Sequence, residues 1–306
     1  MKGVTVLKDI RDYQILFLSL FLVLGIGTRD WTLRPELILV TMVTCLTTQW
    51  LAENITSIWY YLKQNIFNHS EQFKSSLVKP QKPTSLRSAA ITALSLCLLL
   101  RSDHYTTMIL AASLAILSKF IFQIRHKHFF NPANFGIISV LVLTNDAWVS
   151  PGQWGEDWWY VMLFIGSGGM ILKRIGRWDT TAAFLGAYAF LEAIRNIWLG
   201  WTWDVYFHKL MSGSLLLFAL FMITDPRSIP NAKIGRLTWA ICIALLTFIL
   251  RNYFFISTAV FWSLFLLAPL TILFDYLWTA PRFSWLLFNG YLPIFNRKEQ
   301  LITKNG

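Results

Sequence analysis

Charged residues are scarce in this sequence. Only 14% of the 306 residues are Asp, Glu, Lys or Arg, whereas a soluble domain normally has about 25%. Hydrophobic residues make up 55%, and apolar runs recur along nearly the whole chain. This composition argues against two ordinary soluble domains and favours an all-α, membrane-embedded bundle formed as a single domain by residues 1–306.

Cysteines are equally few. The three that occur, Cys45, Cys97 and Cys242, each lie inside an apolar run, and none has a second cysteine at metal-ligand spacing. We therefore interpret them as buried apolar residues and expect no metal or iron–sulfur cluster held by this chain alone. A Gly-rich phosphate loop is also missing. These absences exclude a stand-alone NADH dehydrogenase or ATPase.

The apolar runs predict about ten transmembrane helices, since a span needs about 20 apolar residues. The third and fifth runs are short, which indicates tilted or broken helices. The predicted spans cover residues 13–28, 36–61, 88–101, 105–123, 132–145, 158–173, 179–198, 206–224, 235–251 and 257–278.

Acidic residues number only 16 against 27 Lys and Arg, giving a net charge of +11. Such a charge fits either a nucleic-acid binder or a membrane protein with its basic residues on one side. With ten spans and a cytoplasmic N-terminus, 20 basic residues fall inside and 5 outside. The positive-inside rule then places both termini in the cytoplasm and the protein in the cytoplasmic (inner) membrane, with lipid and not nucleic acid as a partner. The basic loop 62–87 and the tail 279–306 are expected to be cytoplasmic.

A first polar group of candidate site residues lies between Lys119 and Gly136. Asn131 followed by Pro132 is typical of a helix start, with the Asn as N-cap. The amides of Asn131 and Asn134 could form hydrogen bonds with a ring that bears carbonyls and nitrogens, and Phe130 could stack on that ring. The alternative is a capped helix with ordinary aromatic packing.

A second group lies at the two ends of the eighth predicted span. Ser212 and Gly213 allow close helix approach, and Thr224 and Asp225 precede a helix-stopping Pro226. Basic residues follow that are candidate partners for the carboxylate of Asp225: Arg227, Lys233 and Arg236. The alternative is a helix stop with a surface ion pair.

Acidic residues inside the predicted spans are few and lie toward the span ends. Glu53, Glu192 and Asp275 are the examples. Charge in a membrane is costly, so we expect these carboxylates to reach the interface by snorkelling or to be paired there. The tryptophans between Trp148 and Trp159 are either interface anchors or a docking surface.

Several motifs taken together resemble one family. They are Phe-Asn-Pro-Ala-Asn-Phe-Gly at 130–136, the run from Ser212-Gly213 to Thr224-Asp225-Pro226, Gly235-Arg236, and the ending 259–275 with Pro269. The family contains the NqrB protein of the sodium-translocating NADH:quinone oxidoreductase and the RnfD protein of the Rnf electron-transport complex. The resemblance runs from about residue 80 to 278.

The resemblance implies flavin-mediated electron transfer through the membrane. Family members attach FMN to a threonine in the loop after span five, but no threonine occurs here between Thr144 and Thr180, and Ser150 is the only hydroxyl-bearing residue of the loop. The resemblance therefore implies a non-covalent flavin, riboflavin or FMN, near Asn131 on the cytoplasmic side. The candidate flavin-binding residues are Lys119, Arg125, His128, Phe130, Asn131, Asn134, Ser212, Gly213, Thr224 and Asp225.

The function that this implies is that of a membrane electron-transfer subunit of an oxidoreductase. The expected partners are other redox subunits or a periplasmic redox protein, with quinone as a further candidate. Two alternatives stay open. One is a transporter or channel for a small solute, lined by the polar breaks at Asn131/Pro132 and Ser212/Gly213. The other is a membrane scaffold for a periplasmic redox protein.

Overall fold

The computed structural model describes residues 9–29, 34–66, 86–125, 127–150 and 158–283. Within them the chain is mostly helical, and the strands form two short two-stranded sheets. The predicted all-α class is confirmed. The predicted basic loop is shorter than expected at both ends, because helix continues to Ile66 and resumes at Leu86. Its remainder, residues 67–85, and the tail from residue 284 onward lie outside the described residues.

The first half of the chain forms five helices, and each contains most of one predicted span. The helices are α1 (Ile10–Arg29), α2 (Pro35–Ile66), α3 (Leu86–Leu99), α4 (Tyr105–Ile121) and α5 (Pro132–Leu143). The short strands between them are β1 (Leu100–Ser102), β2 (Gln123–Ile124) and β3 (Lys127–His128), and β4 (Ala147–Val149) follows α5. Strand β1 pairs with β4 antiparallel, with Arg101 opposite Trp148, and β2 pairs with β3. Helices α3 and α5 are short, as the apolar runs predicted. Strand β1 follows α3 directly, and β4 follows α5 after three residues.

The second half contains straight helices and two bent ones. The elements are α6 (Trp158–Ile175), α7 (Trp178–Trp198), α8 (Trp203–Leu210), α9 (Gly213–Leu217), a π-helix (Phe218–Met222), α10 (Lys233–Asn252), α11 (Ala259–Leu267) and α12 (Leu270–Leu277). Helix α8 meets the α9–π segment at 50°, and α11 meets α12 at the same angle.

Side chains from neighbouring helices satisfy backbone carbonyls in the π-helix and at the second bend. The π-turn leaves carbonyls without regular partners, and Thr181 Oγ1 donates to the carbonyl of Ala219 at 2.6 Å. At the second bend, Trp239 Nε1 donates to the carbonyl of Leu267 at 2.9 Å, just before Pro269. Irregular backbone at membrane depth is tolerated where neighbouring groups satisfy it in this way.

The exposed surface of the helices is rich in large apolar side chains. On α2, Leu39, Val43 and Trp50 are all at least half exposed. In water such a surface would drive aggregation, whereas in a bilayer it contacts lipid. The chain is a polytopic membrane protein. In the described residues, three helices are long and apolar enough to span a membrane, and each bent pair could add another, for a total of up to five. Ten spans and the cytoplasmic location of both termini stay predictions.

Close packing of α4 against α5 depends on small residues. A Cβ added at Gly136 would lie 2.6 Å from the carbonyl oxygen of Ala111 and 2.8 Å from the Cβ of Ala115. Both alanines are fully buried. The glycine therefore sets the distance between the two helices.

Candidate functional site

The polar segment before α5 folds as the sequence predicted. Asn131 is the N-cap of α5, and its Oδ1 accepts a hydrogen bond of 3.1 Å from the backbone N–H of Asn134. Pro132 occupies the first helical position, where its missing N–H has no cost. The helix start at 131–132 is thus confirmed.

The same two asparagines join α5 to both bent helices. Asn131 Nδ2 donates to the carbonyl of Met222 at 3.1 Å, and Asn134 Nδ2 donates to the carbonyl of Phe261 at 3.1 Å. Both side chains are buried. Within the described residues, Asn134 Oδ1 has no hydrogen-bond partner. The side-chain N–H groups of both asparagines therefore already have a protein acceptor. Among the atoms of these two amides in the described structure, the Oδ1 of Asn134 is the one that still lacks a hydrogen-bond partner.

Phe130 is likewise already in contact with other rings. Its ring centroid lies 5.0 Å from that of Phe265 in a stacked arrangement, 5.1 Å from Phe135 and 5.4 Å from Phe122. Aromatic pairs at these distances stabilise one another. The ring is part of an aromatic cluster and does not line the cavity described below.

Asp225 lies beside His128. The Nε2 of His128 is 3.6 Å from Oδ2 of Asp225, slightly beyond hydrogen-bond length, and Asp225 Oδ1 accepts a hydrogen bond of 3.2 Å from the backbone N–H of Arg227. Burial lowers the pKa of His128, with Asp225 opposing this effect. Burial alone would raise the pKa of Asp225, but His128 and the Arg227 backbone hydrogen bond outweigh burial and lower it. At neutral pH Asp225 is therefore ionised and His128 is uncharged.

A cavity of about 80 Å³ opens next to this pair. Four residues predicted from the sequence line it: His128, Asn131, Thr224 and Asp225. Thr224 Oγ1 donates to the carbonyl of Leu220 at 2.9 Å, so its hydroxyl hydrogen is already used. The structure thus brings together residues from the β3–α5 junction and from the end of the π-helix.

Other lining residues come from helices that the sequence gave no reason to place here. Arg11 and Gln14 of α1 and Ser88 of α3 line the cavity, as does Arg227. Arg227 was predicted only as a partner of Asp225. Of the other two candidate partners of Asp225, Arg236 pairs instead with Asp179, at 2.6 Å. Arg11 belongs to the basic N-terminal segment, but no neighbouring residue indicated that it would line the same cavity as Asp225.

Lys119 lies behind the wall of the cavity. Its ammonium group is 3.3 Å from both the carbonyl oxygen and Oγ of Ser88, and the side chain is buried. Arg125 is not part of this group. It is exposed, has a φ of 50° in the β2–β3 turn, and its carbonyl accepts a hydrogen bond from Arg282.

Ser212 and Gly213 lie at the opposite end of the bent helix from Asp225. They begin α9, where Ser212 Oγ is 3.0 Å from Ser214 Oγ. Gly213 and Thr224 are eleven positions apart, which is about 16 Å at roughly 1.5 Å per helical residue. Neither Ser212 nor Gly213 lines the cavity. The sequence-predicted set is therefore divided between two places.

Two of the three carboxylates predicted inside spans form an ion pair with a lysine. Glu192 Oε2 is 3.0 Å from Lys209 Nζ, and Asp275 pairs with Lys127. Glu53 Oε1 accepts a hydrogen bond of 2.6 Å from Gln49. Of the tryptophan-rich segment, residues 151–157 lie outside the described part of the chain, and Trp148 and Trp159 are exposed.

The cavity is too small for a flavin ring. Pockets for drug-sized ligands span roughly 300–1,000 Å³, several times the volume found here. The side-chain N–H groups of Asn131 and Asn134 are also engaged by carbonyls. This cavity therefore does not fit an isoalloxazine ring in this arrangement, although the buried Oδ1 of Asn134 has an unused acceptor capacity.

Comparison with known proteins gives one consistent result. Residues 145–284 match the family described as NQR2, RnfD, RnfE family. The RnfD subunit of the ion-translocating oxidoreductase complex of Actinobacillus pleuropneumoniae serotype 5b (strain L20) is 32% identical over 133 residues, which is 43% of this chain and 38% of the relative. The protein of the same name from Vibrio vulnificus (strain YJ016) is 33% identical over 131 residues, 42% of this chain and 36% of the relative.

The chain therefore matches less than two fifths of the length of these curated relatives. The family match includes Ser212, Asp225, Arg236 and Asp275, but it begins after the 130–136 motif. The matched region is thus shorter than the segment 80–278 that the motifs indicated.

Proposed function

We propose that the chain is a member of the NQR2, RnfD, RnfE family, which residues 145–284 match, and that it is a membrane electron-transfer subunit of an ion-translocating oxidoreductase complex. The family match carries this proposal. The all-α membrane fold supports it, since a subunit of this kind must hold its redox chemistry within a helical bundle. The proposed location is the cytoplasmic (inner) membrane.

A bent helix and a buried ion pair within the matched region support the proposal. The bent helix 203–222, with its π-turn, is followed by Asp225, and the buried Arg236–Asp179 pair connects α10 to α7. Broken helices with polar residues at their ends are typical of membrane proteins that bind or move small charged species. The partners included in the proposal are the other redox subunits of such a complex, a periplasmic redox protein, and quinone.

A non-covalent flavin belongs to the proposal as a redox group of the assembled complex. Proteins of this family are flavin-linked in general. Because the cavity beside Asp225 does not fit the ring, the proposal assigns no flavin to it. A bound flavin would supply one- and two-electron chemistry, and the protein would orient it and exclude water. The assignment to flavin binding of the ten candidate residues selected from the sequence stays a prediction.

The test is purification of the tagged full-length chain from native membranes in a mild detergent. We expect flavin- or iron–sulfur-containing subunits to co-purify in fixed ratio, and the preparation to show flavin absorbance that dithionite bleaches. Acid should then release the flavin, since attachment is non-covalent. Recovery of the chain alone after cross-linking in the membrane, colourless and without any redox protein, would overturn the proposal.

One observation favours a second function, that of a small-solute transporter or channel. The chain has two bent helix pairs, each broken over at most four residues, and such breaks frequently line solute pathways. Reconstitution in liposomes separates the two functions. Solute uptake by colourless protein without partners supports transport and contradicts the electron-transfer role.

A further inference from the structure

Two arginines distant in sequence line the same small cavity. Arg11 near the start of α1 and Arg227 after the π-helix are both lining residues, and both are partly exposed at its mouth. The guanidinium of Arg11 is held by Asp9, with Nη2 to Oδ2 at 2.6 Å. Like charges facing one cavity repel each other unless an anion lies between them.

The charge of Arg227 has no direct counter-ion. Within the described residues its guanidinium makes no hydrogen bond or ion pair, and Asp225 contacts only the backbone N–H of Arg227. Burial lowers the pKa of Arg227, with Asp225 opposing this effect and the charge of Arg11 adding to it. Lys119 adds a further positive charge behind Ser88. Asp225 is the one carboxylate among the described lining residues, so the surroundings of the cavity are net positive.

Two residues that line the cavity, Ser88 and Gln14, also carry neutral N–H or O–H groups that no described acceptor uses. Ser88 Oγ accepts from Lys119, which leaves its own O–H hydrogen available to the cavity. Within the described residues the side-chain amide of Gln14 also makes no hydrogen bond. Residues with three kinds of donor therefore line the cavity: a guanidinium, an amide and a hydroxyl. This set suits an oxyanion with several acceptor oxygens.

The alternatives fit less well. A metal or alkali cation prefers several oxygen ligands and would meet two guanidinium groups and one carboxylate here. A flavin ring exceeds the space. A volume of about 80 Å³ exceeds the roughly 10–15 Å³ that one water needs and suits a small polar group.

From these observations we propose that the cavity binds a phosphate oxyanion, held by Arg227, Gln14 and Ser88 with Arg11 at the rim. A lipid headgroup and a soluble phosphate ester present the same group. The site goes beyond the proposed function and does not depend on it, because no redox group takes part.

The test uses the purified full-length chain and measures binding by calorimetry. The soluble probes are inorganic phosphate and glycerol 3-phosphate in detergent, with potassium chloride at equal ionic strength as the blank. The lipid probe is phosphatidic acid, titrated in nanodiscs of phosphatidylcholine and followed by retention in native mass spectrometry. Binding of a soluble probe identifies a soluble source, and retention of phosphatidic acid alone identifies a lipid source.

Variants show whether binding occurs at the cavity. Arg227→Gln should weaken binding by tenfold or more, since a hydrogen bond to a charged group is worth about 1.5–3 kcal/mol. Gln14→Glu should abolish it by placing a carboxylate against the anion. The matched control is Lys173→Gln, which removes one positive charge from an exposed position of α6, and it should leave affinity unchanged.

Two outcomes would overturn the site. One is wild-type protein that binds none of the probes at millimolar concentration. The other is equal weakening by Arg227→Gln and Lys173→Gln, which indicates non-specific charge attraction. Arg227→Lys, which keeps the charge, guards against a folding defect: it should retain part of the affinity and the wild-type melting temperature. Co-purification of redox subunits is unaffected by any of these results, so the two proposals fail separately.

Discussion

The side-chain amide of Asn131 donates a hydrogen bond to the backbone carbonyl of Met222, 3.1 Å away across 91 residues of sequence. The contact connects the start of α5 to the last residue of the π-helix. The carbonyl belongs to an irregular turn, so a side chain from another helix completes its hydrogen bonding. The end of the π-helix in the second half of the chain is therefore held by a residue of the first half.

Replacing Asn131 by Asp separates the two roles of this side chain. Asp keeps the oxygen that caps α5 but loses the N–H that reaches Met222. We expect a loss of about 1–3 kcal/mol of stability, the cost of an unsatisfied buried group. Asn131→Ala loses both contacts and should be destabilised further. Unfolding of the purified protein in mixed micelles by sodium dodecyl sulfate, followed by tryptophan fluorescence, measures both. Equal stability of the Asp variant and the wild type would contradict the contact.

Gly136 should not tolerate a side chain. Its added Cβ would meet the Ala111 carbonyl at 2.6 Å, so α4 and α5 must separate and Gly136→Ala should cost about 1–3 kcal/mol, as overpacking does. Gly186→Ala is the matched control, because Gly186 is exposed on α7 with nothing within 4 Å. That substitution should be neutral or stabilising by up to about 1 kcal/mol. A melting temperature of Gly136→Ala that is unchanged or raised, as in the control, would contradict the packing role of Gly136.

The buried pair of Asp179 and Arg236 gives a third prediction. Arg236 Nη2 lies 2.6 Å from Asp179 Oδ2, and both side chains are about 7% exposed. Asp179→Leu alone should cost roughly 3–5 kcal/mol, because it leaves a buried charge without its partner. Adding Arg236→Met should recover much of this loss, since an apolar pair of similar size needs no compensation. A double-mutant cycle on chemical denaturation measures the coupling, and strictly additive losses would argue against the pair.

Acid should weaken the end of the fold where β1 meets β4. Burial raises the pKa of Asp146, but hydrogen bonds from the Thr107 and His104 side chains and from two backbone N–H groups outweigh it, so the pKa falls from its usual 3.8 to about 2. A folded-state pKa below the unfolded value contributes stability above about pH 4, and the contribution is lost as the pH falls toward 2. Asp146→Asn should therefore flatten the decline in melting temperature between pH 4 and pH 2.

The control for this pH series is Glu36→Gln, which removes an exposed carboxylate at the start of α2. It should leave the acid limb as steep as in the wild type. An Asp146→Asn profile parallel to the wild type at every pH would indicate that other carboxylates are responsible.

Local features of the fold were predictable from the sequence, because their causes are local. The start of α5 follows from Asn131-Pro132, whose capping geometry involves residues three apart. The short third and fifth runs ended where polar residues appear. The π-turn between Phe218 and Met222 was not predicted, since its sequence is uniformly apolar and the irregularity depends on donors such as Thr181.

The composition of the site was only partly predictable. His128, Asn131, Thr224 and Asp225 were selected for their polarity beside helix ends, and they do meet at one cavity. Ser212 and Gly213 were grouped with them, although a rigid helical segment holds them about 16 Å away.

Which side chains form pairs between distant helices could not be predicted from the sequence. Arg236 was considered for Asp225, yet it pairs with Asp179, 57 positions from it. The contribution of Arg11 depends on how α1 packs, and that packing involves the stacked rings of Phe21 and Phe164, whose centroids are 3.9 Å apart. Such pairings are set by the three-dimensional arrangement of the bundle.

The stack of Phe21 on Phe164 has a practical consequence for anyone who trims the gene. Phe164 belongs to the stretch that relatives share, whereas Phe21 precedes it, and Asn134, which holds the Phe261 carbonyl, precedes it as well. Expressing residues 145–284 alone would remove the Phe21 ring that stacks on Phe164. It would also remove the side-chain donors to backbone carbonyls such as that of Phe261, which would then lack a hydrogen-bond partner in the bilayer. The shared stretch is an evolutionary segment and not an autonomous folding unit, so expression trials should retain the preceding helices.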